Sequence, residues 1–386
     1  WPNSKESCGR EIQTARLGWK RAWFMQGDAY QKFEQDLDPE LGEILRHVDC
    51  QDAEVTIRVY MIGRSEDACR PTIMVCCVNA SVRREAKKSL RNSFILKENP
   101  GFSLGSIDYP LEQLVPARRL ASEASQTTVG SKPDTRLEVC ATSDLANIGR
   151  LLFISDCRFD RGYTCATGGV VLRVDQNFYQ LTVGHITTGP NHTQEVPSRI
   201  DPDACSFDGE SESGNESDDF SVLERTMRKA SMSFQSSPHV RIGMVARRSQ
   251  DGSNPNLDYA LVSIKRPSIP TRLNEVSLSP GLESSSLQVR QISAVGHEEK
   301  QIIAVTGSSG VLKGVLIPGA TFLVTSDQRK PQKLYVVQLN GVLTDGDSGT
   351  AIVDETSGDL YGHIISGCPG TRIGYITPAT EIFEDL

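Results

Sequence analysis

The chain has 386 residues, 38% of them hydrophobic, with a formal net charge of −8, enough apolar material for one large core or two ordinary ones. No stretch approaches the roughly eighteen consecutive apolar residues of a membrane-crossing helix, which excludes membrane insertion by that route. Nine acids and no Lys or Arg lie between Asp201 and Glu224; the remainder is nearly neutral and offers no field for nucleic acid or an acidic membrane surface.

Taken in chain order, Asp28 to Val48 has helical character, with Pro39 near a helix start. From Glu54 to Ile62 the residues Val55, Ile57, Val59 and Met61 alternate as in a strand, and Ile73 to Val78 is a continuous apolar run suited to a buried one. Asn79 and Ser81 can cap a helix over Val82 to Ser93, whose Arg83, Arg84, Lys87, Lys88 and Arg91 read as a solvated face. A docking surface for an acidic protein partner is the alternative reading of that face. These elements predict a small α+β domain over residues 1–120, and the polar stretch containing Gln126 to Pro133 predicts a linker over 121–137.

From 138 to 386 the pattern changes to short strands punctuated by Gly, Pro and Asn. Candidate strands are 168–174, 179–183, 244–245, 260–264, 302–306, 311–316, 321–325, 334–339 and 350–354, which together imply antiparallel all-β architecture. Thr306 to Gly310 reads as a hairpin turn with no histidine or aspartate framing of its own. The acidic, Ser- and Gly-rich insertion at about 200–235 cannot bury enough apolar surface to offset the entropy of ordering, so it is expected to be disordered. It lacks the ligand spacing of a calcium loop, and the reading calls for no metal and no cofactor.

Three segments carry chemistry: Leu181-Thr182-Val183-Gly184-His185, Leu257-Asp258-Tyr259-Ala260-Leu261-Val262 and Gly346-Asp347-Ser348-Gly349. A serine hydroxyl is a poor nucleophile at neutral pH, so it needs a base, and the base needs a third group to fix its tautomer. Histidine suits the base because its ordinary pKa of about 6.5 lets it accept and return a proton. Charge developing on a substrate carbonyl oxygen must meet preorganised donors, a role open to the N–H groups of Gly346 and Ser348 on a glycine-containing turn.

These residues resemble the chymotrypsin/trypsin-like serine proteases over roughly 145–386, and the order His, Asp, Ser is the one that family uses. The resemblance implies two antiparallel β-barrels preceded by the small α+β domain, hence a mainly β protein. It implies His185 as general base, Asp258 as its orienting partner, Ser348 as nucleophile, and Gly346 and Ser348 as the oxyanion hole. The function implied is serine endopeptidase action on a protein or peptide substrate, the alternative being a catalytically silent module of the same fold. Tyr361 to Gly367 looks like the strand that pairs with substrate, Ile373 to Thr377 like the strand closing the specificity pocket, and Ala379 to Asp385 like the C-terminal helix. By family spacing Val342 lies at the pocket base, with Ser366, Gly367 and Gly374 on its walls, predicting apolar rather than basic preference.

In the family, Asp347 often pairs with an N-terminal amine released by cleavage. Such a cut is sought here between 136 and 161, Arg150-Leu151 being one candidate; an internal cation or backbone donor is the other possibility, favoured by the domain attached upstream. Thr350, Ile186 and Thr344, standing where secreted relatives usually carry glycine or disulfide cysteines, resemble an intracellular fungal branch. Free cysteine behaves as a small hydrophobe in a reducing compartment, so the ten cysteines are read as cytoplasmic, with secretion as the alternative.

Overall fold

One long strand, Gly310–Val324, organises the molecule. Its register slips between Ile317 and Thr321 and Gly319 has φ of +94°, so the strand bends where only glycine is at ease. Before the bend it pairs with Lys300–Thr306, and after it with Val55–Gly63 from the N-terminal region. The sequence pattern suggested two strands here; a bulge rather than a loop joins them. A computed structural model describes residues 1–51, 53–113, 117–120, 122–123, 137–142, 148–155, 163–187, 206–207, 239–252, 254–265, 273–278, 286–325 and 331–386. The expected linker, apart from 122–123 and 137, and the acidic insertion, apart from Ser206–Phe207, lie outside them.

The C-terminal strands run in the order 310–324, 300–306, 351–354, 360–367, 373–378 and 332–339, and the last pairs back with the first. This is a closed six-stranded barrel. A second, curled sheet orders its strands 171–174, 177–183, 259–264, 239–248, 138–142, 150–155, 164–168 and 122–123. The expected mainly β, trypsin-like architecture is therefore present, one barrel closed and the other a curled half-barrel.

The N-terminal 120 residues do not pack as a separate unit. Val55–Gly63 continues the sheet of the closed barrel, and Cys69–Cys76 and Ser103–Ile107 extend it further. One buried cluster joins Trp23, Phe33, Leu41 and Val75 to Phe322, Tyr335, Val337 and Ile364. Across the same boundary Tyr60 and Tyr375 both donate to the Glu112 carboxylate (2.6 and 3.0 Å), which lies 3.7 Å from buried Arg58. Alternation identified these strands correctly, but their partners are some 260 residues away and leave no local mark.

The helices follow their sequence signals. Gly27–Lys32, Phe33–Leu37 and Asp38–Leu45 form a nearly continuous helical run, Ala379–Asp385 is the C-terminal helix, and Asn79 caps Ala80–Asn92 by accepting from the Ser81 and Val82 N–H groups. The basic face of that last helix is only partly solvated, against expectation. Arg83 and Lys87 are buried; Arg83 donates to the Cys77 carbonyl, and Lys87 donates to the backbone and hydroxyl oxygens of Ser206. Burial of a cation is tolerated where its hydrogen bonds are met.

Candidate active site

The strands Asn177–Val183 and Tyr259–Ile264 pair with Val183 opposite Tyr259, so His185 and Asp258 emerge at the same end of neighbouring strands. The His185 main-chain N–H donates to Asp258 Oδ1 at 2.7 Å, and its Nδ1 lies 2.6 Å from Oδ2. Asp258 holds this position at φ of +49°, a left-handed conformation that costs a non-glycine residue about 1 kcal/mol or more and clusters at functional sites. Burial alone would raise the Asp258 pKa; the charge and hydrogen bond of His185 outweigh it and hold the carboxyl below its ordinary value. An ionised carboxylate on Nδ1 places the ring proton there and makes Nε2 the basic position.

Ser348 comes from the other barrel on a turn with Gly346 at φ +100° and Gly349 at +94°. A Cβ at position 349 would sit 2.1 Å from the Thr167 carbonyl oxygen, so no larger residue fits. Thr167, of the curled sheet, clamps the turn: its N–H donates to the Ser348 carbonyl (2.7 Å) and its hydroxyl to that of Gly346 (2.8 Å). Thr182, three residues before His185, donates in turn to the Thr167 carbonyl at 2.9 Å. The turn of Ser348 is thus tied, at the seam between the barrels, to the curled sheet that carries His185 and Asp258.

Asp347 is fully buried and takes neither an amine nor a cation among the described residues. Its carboxylate accepts from the Thr344 N–H (2.8 Å), the Thr344 hydroxyl (3.2 Å), the Ser308 hydroxyl (2.9 Å) and the Ser308 N–H (3.3 Å). Burial still leaves its pKa raised, the donors pulling the other way. Internal donors therefore serve the carboxylate, two from Thr344 and two from the hairpin turn that looked idle in the sequence. Arg150, offered as a cleavage position, is buried in the Arg150–Ser155 strand and donates twice to Gln180 Oε1 (3.0 and 2.6 Å). Arg150 opens that strand with its side chain buried and bonded, which keeps the Arg150–Leu151 bond from a protease; Arg136 lies outside the described residues.

Solved structures that resemble this fold include serine proteases. They include Thermobifida fusca protease A (TM-score 0.34, 12% identity, 57% of this chain and 88% of that one). A Nocardiopsis protease gives a TM-score of 0.33 at 14% identity over 57% and 89%, and Cellulomonas bogoriensis chymotrypsin 0.31 at 14% over 57% and 86%. No family model matches the sequence, and no curated protein matches it.

The cleft is filled by the chain itself. Arg118–Arg119 pairs antiparallel with the Leu360–Gly367 strand, Arg119 opposite Ser366 and Arg118 opposite Gly367. Ser348 Oγ accepts from the Leu120 N–H at 3.0 Å and donates to the Ile365 carbonyl at 3.1 Å; among the described residues it makes no hydrogen bond to His185. The Gly346 N–H donates to the Leu120 carbonyl oxygen, and of the two expected oxyanion donors it is the one that reaches it. Leu120 and Ser348 are both fully buried.

Of the expected pocket residues, Gly367 lines the space around Leu120. A Cβ there would lie 3.0 Å from both Leu120 Cδ1 and Leu343 Cδ1, and one at Gly374 would lie 3.1 Å from Leu343 Cδ1. Ser366 sits on the pairing strand. Val342 is not the floor: it is 46% exposed, whereas Leu343 is fully buried. Neighbouring side chains in extended backbone point to opposite sides, so a one-residue error in spacing reverses the direction. The apolar character survives the correction.

Sequence reading also passed over His363. It is buried on the pairing strand, close enough to Asp258 and His185 to sense both charges, and burial pushes its pKa down to about 4, so it is neutral at ordinary pH. Nothing in Tyr361 to Gly367 distinguishes it from a strand residue facing a core. Its partners come from another barrel.

Proposed function

We propose that the protein is a serine endopeptidase in which Ser348 is the nucleophile, His185 the general base and Asp258 its orienting partner. The observation that carries this is the paired bonding of Asp258 to the His185 ring and backbone, at a strained residue beside the crevice that holds Ser348. Ser348 Oγ attacks the substrate carbonyl carbon while its proton passes to His185 Nε2; the oxyanion is held by the Gly346 N–H. Collapse returns the proton to the leaving amine and leaves an acyl-enzyme, which water hydrolyses through the same base. Leu343, Gly367 and Gly374 frame an apolar primary pocket. A reducing compartment such as the cytoplasm is part of the proposal, the eight described cysteines being buried, where a thiol behaves as a small hydrophobe.

A second reading is a catalytically silent module whose cleft holds its own segment. It is favoured by the Ser348 hydroxyl bonding to Leu120 and Ile365 rather than to His185. One experiment separates the two. In a Leu120→Asp chain, whose charged side chain is rejected by the apolar pocket, the endopeptidase reading expects turnover of a peptide with leucine at the scissile position, abolished by adding Ser348→Ala. Absence of turnover in a folded Leu120→Asp chain selects the silent module.

A further inference from the structure

We propose that the bond after Leu120 is this enzyme's own substrate, so that the chain cuts itself into residues 1–120 and 121–386. The inference rests on the endopeptidase reading and adds the site, its register and its consequence.

The segment lies across the cleft as an extended substrate would. On one side Arg118 and Arg119 pair with Gly367 and Ser366 of the closed barrel; on the other Ser122 and Glu123 pair with Cys165 and Thr164 of the curled sheet. Strand addition on both sides holds the described residues around Leu120 by main-chain pairing. Between those anchors the Leu120 carbonyl oxygen accepts from the Gly346 N–H, its N–H meets Ser348 Oγ at 3.0 Å, and its side chain packs beside Leu343. The buried Leu120 carbonyl thus lies on an oxyanion donor, and the serine oxygen rests against the N–H of the residue whose carbonyl carbon it must reach. The flanking cations are also placed: Arg118 donates to Asp345 at 2.7 Å, and Arg119 is near enough to Asp258 to lower its pKa.

Reaction requires Ser348 Oγ to leave its bonds to Leu120 N–H and Ile365 and turn to the imidazole. Oγ then bonds to the Leu120 carbonyl carbon, its proton moving to His185. The carbon–nitrogen bond to Ala121 breaks, the nitrogen taking that proton. Water then cleaves the Leu120 ester, leaving a Leu120 carboxylate, a free Ala121 amine and an intact Ser348. The halves stay together because the Val55–Gly63 strand and the shared buried cluster bind residues 1–120 to the closed barrel. The new Leu120 carboxylate is held in the pocket and competes with external peptides.

The test follows the purified full chain by intact mass, N-terminal sequencing and size-exclusion chromatography. Expected are two polypeptides meeting at Leu120/Ala121 that co-elute at the size of the intact chain, formed at a rate unchanged by dilution. Ser348→Ala is expected to stay whole, and so is Leu120→Asp; should the latter fail to fold, Leu120→Ala, which empties the pocket, is expected to slow the cut. A wild-type chain that stays whole while Leu120→Asp turns over a leucyl peptide overturns self-cleavage and leaves the endopeptidase standing. A cut that persists in Ser348→Ala also overturns it. A folded Leu120→Asp chain with no turnover removes both readings.

Discussion

Replacing Ser308 by alanine tests whether a distant hairpin holds the oxyanion turn. The substitution deletes one of the four donors to the Asp347 carboxylate, the 2.9 Å bond from the Ser308 hydroxyl, and leaves the other three. Asp347 is fully buried, so solvent does not screen the loss, and a hydrogen bond to a charged group contributes roughly 1.5–3 kcal/mol. The sign with pH follows from the raised pKa of Asp347. The folded chain binds its proton more tightly than the unfolded one, so this group weakens stability as pH rises through the folded pKa. Ser308→Ala removes a bond that favours the ionised form and pushes that pKa higher still. Its destabilisation is therefore largest near neutral pH and shrinks under acid conditions where Asp347 is protonated. Urea denaturation of the Ser348→Ala background, which avoids chain cutting, reads it at both pH values. A loss within about 0.5 kcal/mol, the usual range for unremarkable surface changes, or one that does not vary with pH, refutes the reasoning.

Three further outcomes are expected. Leu343→Ala enlarges the pocket and shifts kcat/KM from leucyl toward phenylalanyl peptides by roughly tenfold; an unchanged ratio, measured in the Leu120→Asp chain, removes Leu343 from the pocket. His363, with its pKa depressed to about 4 by burial beside Asp258 and His185, takes its proton later than the unfolded chain does as pH falls. Between an unfolded value of about 6.5 and that of the folded state, stability therefore falls with falling pH by about 3 kcal/mol. His363→Gln should lose that part of the pH dependence, and identical denaturation profiles would contradict it. Glu112→Gln leaves Arg58 as an uncompensated buried cation and should cost about 3–5 kcal/mol; a single cooperative transition shifted by this amount confirms that residues 1–120 fold with the closed barrel, whereas unfolding of an N-terminal unit alone argues against it.

The strands and helices were legible wherever they depend on near neighbours. Alternation at Val55 to Met61, the apolar run at Ile73 to Val78 and the Asn79 cap each report a local periodicity or a local hydrogen bond. The His185–Asp258 contact and the turn from Gly346 to Gly349 were legible from residue type, an imidazole and a carboxylate that pair and glycines that take positive φ. What escaped depends on partners far off in the chain. Leu120 looks like any leucine until the Leu360–Gly367 strand lies beside it, and Ser308 looks like a turn residue until Asp347 is folded over it. Lys87 reads as solvated because its acceptor, Ser206, is 119 residues away. Val342 and Leu343 are both apolar neighbours, and only the backbone direction says which faces the pocket.

The central claim, that Ser348 is an activated nucleophile, is tested most directly by a fluorophosphonate probe on the Leu120→Asp chain with the adduct mapped by peptide mass. A single adduct on Ser348 is expected, lost in Asp258→Asn or slowed by about 10⁴-fold, since the imidazole then lacks the group that fixes its tautomer. A folded chain that takes up no probe, or labels equally fast without the Asp258 carboxylate, would contradict it.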